Sequence, residues 1–316
     1  MFVSVRVIFV GGLGRSGTTL LERLLGELPG VAPLGEVVHL WTRGVGADEP
    51  CGCGMPFSRC PFWREVGERA FGGWPVGLAA RLLDLRHRLD RTRRIPILSR
   101  QARPGDARGD TALGEYAASY GRLYHAAARV GGAAVVIDSS KHASLAFCLS
   151  AAGESIELSV VHVVRDPRAV AHSWGRRVPR PEDGAPMTRW RPGVAALHWL
   201  VQNLAFHLLA RRGVPVIRVR YEDLVAAPRK TIRRLVRRLA LPVGPGLPFV
   251  RGGGVTLSPT HTVSGNPMRF AVGTLPLRRD DAWRTALPHR HRWLVTALTW
   301  PLSRRYGYRL GTGVPR

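Results

Sequence analysis

Short, largely apolar runs alternate along this chain with longer stretches in which apolar residues return every three or four positions. The runs are Val7-Ile8-Phe9-Val10 and residues 133–137, 158–164 and 214–219. Their length and β-branched content suit strands buried on both faces. A helical period marks 20–25, 76–94, 113–130, 194–211 and 228–241, with Leu78, Leu82, Leu85 and Leu89 the clearest example, and an aromatic-rich helix closes the chain. Strands that alternate with helices predict an α/β fold around a central, mostly parallel sheet. Residues 30–36 read as a further short strand ending in Glu36, and 41–62, rich in Gly, Pro and Cys, as an irregular covering segment. No repeat or linker interrupts the pattern, so a single domain over 1–316 is expected, with room for a helical or irregular insertion at about 41–130. No apolar stretch approaches the roughly 20 residues of a membrane span, and MFVSVRVIFV is too short for a signal peptide. A cytoplasmic enzyme is therefore expected.

The polar residues that punctuate this pattern gather where strands end. GGLGRSGTT at 11–19 follows the first strand and opens the first helix. Such a loop turns backbone N–H groups inward at a helix N-terminus, where unpaired donors and the macrodipole favour a phosphate. Gly12 and Gly17 have the spacing of G-x-x-x-x-G-K-[ST] and Thr19 stands at its Ser/Thr position, but Thr18 replaces the lysine. The cation is Arg15 instead, which suits a phosphate carrying less charge than a triphosphate tail. The strand at 133–137 ends in Asp138-Ser139-Ser140-Lys141-His142, and the strand at 158–164 in Arg165-Asp166-Pro167. Asp166 suits an N-cap and Pro167 the first helical position, which puts Ser173 about two turns along. In a parallel sheet the ligand crevice lies outside the carboxyl ends of the strands, so these groups and Glu36 are expected to face one cleft.

Composition changes this picture in two places. The formal net charge is +25 and the pI about 11.6, which invites a polyanion. Yet all but two of the 47 basic residues, Lys141 and Lys230, are arginines scattered along the chain, so the balance points to an anionic ligand more than to specific nucleic-acid binding. Lys141 is a compact point charge among guanidinium forks. Of four cysteines, Cys51, Cys53 and Cys60 lie together in a Gly/Pro loop. They either hold zinc with a fourth ligand such as His39 or remain reduced thiols, and no metal is assigned to the reaction.

GRSGTT at 14–19, RDPRAVAHS at 165–173, RYEDL from Arg220, and SGNPMRF followed by DDAWR together resemble the bacterial-type sulfotransferase family in order and spacing. The resemblance implies a P-loop-NTPase-like three-layer fold and transfer of a sulfuryl group from 3′-phosphoadenosine 5′-phosphosulfate (PAPS), leaving 3′,5′-bisphosphoadenosine. The acceptor would be a hydroxyl or amine of a small molecule or carbohydrate. It also implies that Gly14, Arg15, Ser16, Gly17, Thr18 and Thr19 wrap the 5′-phosphosulfate, and that Arg165 and Ser173 hold the 3′-phosphate. Arg269 would add a contact there, although the family's usual Arg-Lys-Gly is absent. Glu36 is the expected general base, its pKa raised toward neutrality by burial, with His39 and His142 in reserve. Arg15 and Lys141 would stabilise the transferring and leaving groups. Two rival readings are a P-loop kinase, with Thr19 and Asp138 on magnesium, and a nucleic-acid-binding module on the same fold.

Overall fold

Successive residues of the first strand, β1 (Val5–Gly11), point to opposite faces, and both faces are apolar. Val5, Val7 and Phe9 enter one core while Ile8 and Val10 enter another, so β1 lies at the centre of a sheet covered on both sides. The computed structural model describes residues 4–101, 111–178, 184, 186, 188–241 and 246–309. After β1 the chain forms α1 (Thr18–Gly26), β2 (Val31–Pro33), α2 (Pro61–Phe71), α3 (Val76–Arg88), α4 (Ile95–Gln101) and α5 (Ala112–Val130). It continues through β3 (Val135–Lys141), α6 (Ala143–Ser150), β4 (Ile156–Val164), α7 (Pro167–Gly175), α8 (Pro192–Arg211), β5 (Val216–Arg220), α9 (Tyr221–Ala226) and α10 (Pro228–Arg238). The last elements are β6 (Val250–Arg251), β7 (Gly254–Leu257), β8 (Gly273–Pro276), α11 (Trp283–Ala286) and α12 (His289–Arg305).

The main sheet has the order β2-β3-β1-β4-β5, and every pairing in it is parallel. The chain steps outward from β1 on one side through β3 and on the other through β4, which makes the carboxyl end of β1 a switch point where a crevice must open. On one face, α5 contributes Tyr116, Tyr120 and Tyr124 at helical spacing, fully buried, beside residues of α2, α3, α6 and α8. On the other, Leu20, Leu21, Leu24 and Leu25 of α1 pack with Ile232 and Leu235 of α10.

One expectation needed correction. Residues 41–62 are not wholly irregular: Leu40–Val45 forms a widened helical turn and α2 starts at Pro61, because Trp63 and Val66 bury an apolar face that one turn of sequence did not reveal. The late Gly-rich segment holds a small antiparallel sheet, β6-β7-β8. Helix α8, 20 residues with a mean hydropathy of 1.3, is long and apolar enough to cross a membrane by length and composition alone, a test that a core helix also passes. Its inner face, with Trp199, Phe206 and Leu209, packs into the protein, while Val194, Leu197, Val201 and Leu204 are exposed. Residues 101–110, a Gly/Pro/Asp-containing connection in the sequence, lie mostly outside the described residues, as does part of the basic, Pro-rich stretch at 176–192.

Candidate active site

At the switch point lies a cleft of about 390 Å³, lined by groups from every strand end named above. Its floor is the glycine loop. Gly17 caps α1 with φ 92°, and a Cβ there would stand 2.4 Å from the Tyr221 ring, so only glycine fits both the turn and the packing. No side chain caps this helix, which leaves its first N–H groups facing the cleft. Arg15, φ 73°, projects from the loop, and its guanidinium lies 5.6 Å from the Trp174 ring centre. Trp174 Nε1 donates to the Gly14 carbonyl at 3.0 Å and so braces the loop from above.

Lys141 reaches the same point by a different device. Phe9 pairs with Asp138 but Gly11 with Lys141, so β3 carries one extra residue there. The bulge swings Lys141 (φ 70°) toward the loop, where its carbonyl accepts from Gly12 N at 3.1 Å. Left-handed conformations at Arg15 and Lys141 are costly for side-chain-bearing residues, and both line the cleft. Lys141 Nζ donates to Glu36 Oε1 in an ion pair.

Glu36 is 8% exposed and has His39 Nε2 3.8 Å from its other oxygen. Burial alone would raise its pKa, but the Lys141 ammonium beside it outweighs burial and holds the carboxyl below the usual 4.5. The expectation of a base raised toward neutrality is therefore corrected: with Lys141 alongside, Glu36 is a carboxylate. Burial depresses His39, which stays uncharged beside it. The opposite outcome holds at Glu22, in α1 beneath Gly35. Its carboxyl accepts from Gly35 N at 2.6 Å and Ser139 Oγ at 2.6 Å, has no ion-pair partner among the described residues, and is pushed by burial up to about 8.

Arg165, which also lines the cleft, is 6% exposed. Its guanidinium lies 4.5 Å from the Tyr221 ring centre, donates to Arg15 O at 3.0 Å, and pairs with Asp280 at 2.9 Å. Its Nε is buried and has no hydrogen-bond partner among the described residues. Ser173 lines the cleft from α7. Asp166 caps α7 as expected, accepting from Arg168 N at 2.9 Å, and Pro167 is the first helical residue. The late DDAWR segment secures this corner, because Asp280 pairs with Arg165 and the ring of Trp283 lies under Arg168.

Thus Arg15, Gly17, Thr18, Thr19, Glu36, Lys141, Arg165 and Ser173 meet in one cleft, with His39 and His142. Gly14 and Ser16 complete the loop behind them; Ser16 is 1% exposed. Arg269 does not join them. Its side chain is 1% exposed, donates to Pro50 O at 2.7 Å and Thr262 O at 3.3 Å, and stacks on Phe270. Two buried carbonyls claim the guanidinium, so it is a brace, and the segment contributes Gly265, Asn266 and Met268 to the cleft instead. Gly265 lies against the Glu36 carboxylate: a Cβ there would be 2.8 Å from Oε1. Trp174, Tyr221, Arg43 and Asp280 were missed from sequence; Trp174 and Tyr221 adjoin the recognised Ser173 and Arg220, the only signal they offered.

The sequence model described as "Sulfotransferase family" matches residues 7–47 and 157–245, the stretches that carry the glycine loop, Glu36, Arg165 and Ser173. Among solved structures, the chain is similar to a sulfotransferase domain of the Synechococcus PCC 7002 olefin synthase, with 21% identity, 98% of each chain covered and a TM-score of 0.49. A sulfotransferase domain from the curacin biosynthetic pathway shares 16% identity over 96% of this chain and 99% of that one, with a TM-score of 0.49. Sulfotransferase STF1 from Mycobacterium tuberculosis H37Rv shares 18% over 77% and 70%, with a TM-score of 0.42. No curated protein sequence matches the chain at a significant level.

Proposed function

We propose, from the premise that this chain belongs to the sulfotransferase family, that it moves a sulfuryl group from PAPS to a hydroxyl or amine of a small-molecule or carbohydrate acceptor. The observation that carries the reading is the gathering of cations in one cleft: Arg15 and Lys141 at the glycine loop and its neighbouring strand end, with Arg165 and Ser173 from the turn and helix after β4. A donor with more than one phosphate centre matches such a set of cations.

The donor supplies the transferable sulfuryl group; the rest follows from this chain's own side chains. Glu36 takes the acceptor proton as the acceptor oxygen or nitrogen bonds to sulfur and the sulfur–oxygen bond to the 5′-phosphate breaks. Positioned proton transfer of this kind contributes roughly 10² to 10⁴ in rate. Arg15, Lys141 and the first N–H groups of α1 meet the charge that develops on the leaving phosphate, in a site where they are already oriented. Lys141 links the two ends of the reaction, because moving it from Glu36 toward the sulfuryl group removes the cation that keeps the carboxylate acidic.

A magnesium-dependent kinase fits less well. Asp138, its required metal ligand, is fully buried, accepts from Tyr124 OH at 2.5 Å and Ser140 N at 2.7 Å, and is pushed by burial up to about 6. It does not line the cleft.

The test is a labelled-donor screen against sugars, phenols, lipids and peptides, run with the wild type and Glu36→Gln. Labelled product from the wild type, lost in the variant while the variant still binds 3′,5′-bisphosphoadenosine, supports the reading. Near-normal turnover by Glu36→Gln removes the carboxylate from its role, and magnesium-dependent ATP turnover overturns the donor assignment.

A further inference from the structure

We propose that Cys51, Cys53, Cys60 and His261 form a structural zinc site that locks the wall behind Glu36. Three of these residues come from the loop before α2, and the fourth arrives from about two hundred residues later in the chain. His39, the fourth ligand that the sequence suggested, points instead to Glu36.

The case rests first on distances. One ligand atom from each of the four lies within 4.8 Å of all the others. Cys60 Sγ stands 3.6 Å from Cys51 Sγ and 3.8 Å from Cys53 Sγ, and His261 Nδ1 stands 3.3 Å and 3.9 Å from the sulfurs of Cys60 and Cys51. A tetrahedral zinc with bonds of about 2.3 Å to sulfur and about 2.0 Å to nitrogen separates its ligand atoms by about 3.8 Å for sulfur pairs and about 3.5 Å for sulfur and nitrogen. The observed separations bracket those values, and all are far beyond the roughly 2.05 Å of a disulfide bond.

The backbone is shaped to the same end. Cys51 N donates to Met55 O and Gly54 N to Cys51 O, both at 2.8 Å, so residues 51–55 fold into a tight knuckle that aims two thiols inward. Gly52 N donates to Thr262 O at 2.9 Å, which brings the His261 segment alongside. The imidazole is held flat against Phe62, with ring centres 5.0 Å apart and planes 5° apart, and Trp63 Nε1 donates to the His261 carbonyl at 2.8 Å. Three thiolates and one imidazole would close the coordination sphere, which is the arrangement of a structural rather than a catalytic zinc.

Its consequence is mechanical. Two residues beyond His261, Val263 pairs with the strand end before Glu36: Val263 N donates to Leu34 O at 2.8 Å and Glu36 N to Val263 O at 2.9 Å. Gly265 then packs on the Glu36 carboxylate. Arg269, set aside as a phosphate ligand, ties Pro50 to Thr262 across the same seam. The zinc would therefore fix the loop that carries Gly265, Asn266 and Met268 into the cleft. The inference rests on the four ligands alone and stands whether or not PAPS is the donor.

The experiment is elemental analysis of the full-length protein, purified reduced and without chelator, paired with thiol titration and cobalt substitution. One zinc per chain that survives desalting, is released by a mercurial, and is lost in Cys60→Ser supports the site. His261→Cys guards against simple misfolding, since it should keep one metal, and its cobalt form should show the stronger sulfur-to-metal charge-transfer absorption of a fourth thiolate. Zinc far below one per chain in folded protein with freely titrating thiols overturns the proposal. So does a Cys51–Cys60 disulfide found by peptide mass, or a His261→Cys cobalt spectrum identical to the wild type.

Discussion

The two walls of the cleft are built in opposite ways. The wall that would hold the donor is local: a strand, a glycine turn and a helix over 5–26, and a second strand-to-helix turn over 156–175. The wall that holds Glu36 is stitched from segments far apart in sequence, through Val263, which pairs beside Gly35, and through a cysteine–histidine cluster two residues before it whose members lie 201 and 210 residues apart. Local elements place backbone donors with little help. A single carboxylate aimed at an acceptor needs cross-links, because its short strand, β2, has only three residues. The two buried glutamates sharpen the contrast. Glu22, on the helix of the local wall, accepts only from the neutral donors Gly35 N and Ser139 Oγ and is pushed up to about 8, whereas Glu36, in the stitched wall, meets Lys141 and is held below 4.5. Burial sets the cost of charge; the partner decides whether it is met.

Four substitutions test this division. Glu36→Gln should have the largest effect, lowering turnover by roughly 10² to 10⁴ while leaving bisphosphate affinity unchanged. Steady-state kinetics with calorimetry would show it, and a parallel loss of affinity would mean that the two walls are not separable. Arg165→Ala should act on the other wall only, weakening 3′,5′-bisphosphoadenosine by about tenfold to a hundredfold, the value of a charge-assisted hydrogen bond, with adenosine 5′-phosphate little affected.

Lys141→Met should change a pH profile. In the wild type the free-enzyme acid limb of kcat/KM should lie below the ordinary carboxylate value, since Lys141 holds Glu36 in its charged form. Removing the cation leaves burial unopposed, so the limb should move up toward neutrality; an unmoved limb would show that Lys141 does not set the carboxylate's acidity.

The smallest effect is on stability. Glu22 has a folded pKa of about 8 against an ordinary 4.5, so the fold binds an extra proton between those values and stability falls as pH rises through that window. Glu22→Gln should melt within a few degrees of the wild type at pH 4.5 and hold a growing advantage up to pH 8, read by thermal melts across that range. A constant difference would mean that Glu22 does not titrate there.

What could be read in advance follows the same line. The glycine loop, Asp166 and Pro167, and the strands at β1, β3 and β4 were legible because their signals lie within a few neighbouring residues. Lys141 was singled out by its rarity, but the bulge that turns it was not, since an extra residue in a strand has no period of its own. Arg269 was misplaced because a motif cannot say that Pro50 and Thr262 will claim its guanidinium. For the same reason His261 was not matched to the cysteines: the pairing exists only once Val263 has joined the strand end at Gly35.

The most direct measurement is a calorimetric comparison of 3′,5′-bisphosphoadenosine, adenosine 5′-phosphate and ATP binding to the wild-type chain, each with magnesium and with a chelator. Two separate phosphate centres in a metal-independent cleft predict that the bisphosphate binds tightest and that the chelator leaves its affinity unchanged. Equal affinity for the bisphosphate and the monophosphate, or tighter binding of ATP that depends on magnesium, would contradict the assignment of Arg15, Lys141, Arg165 and Ser173 to a PAPS donor.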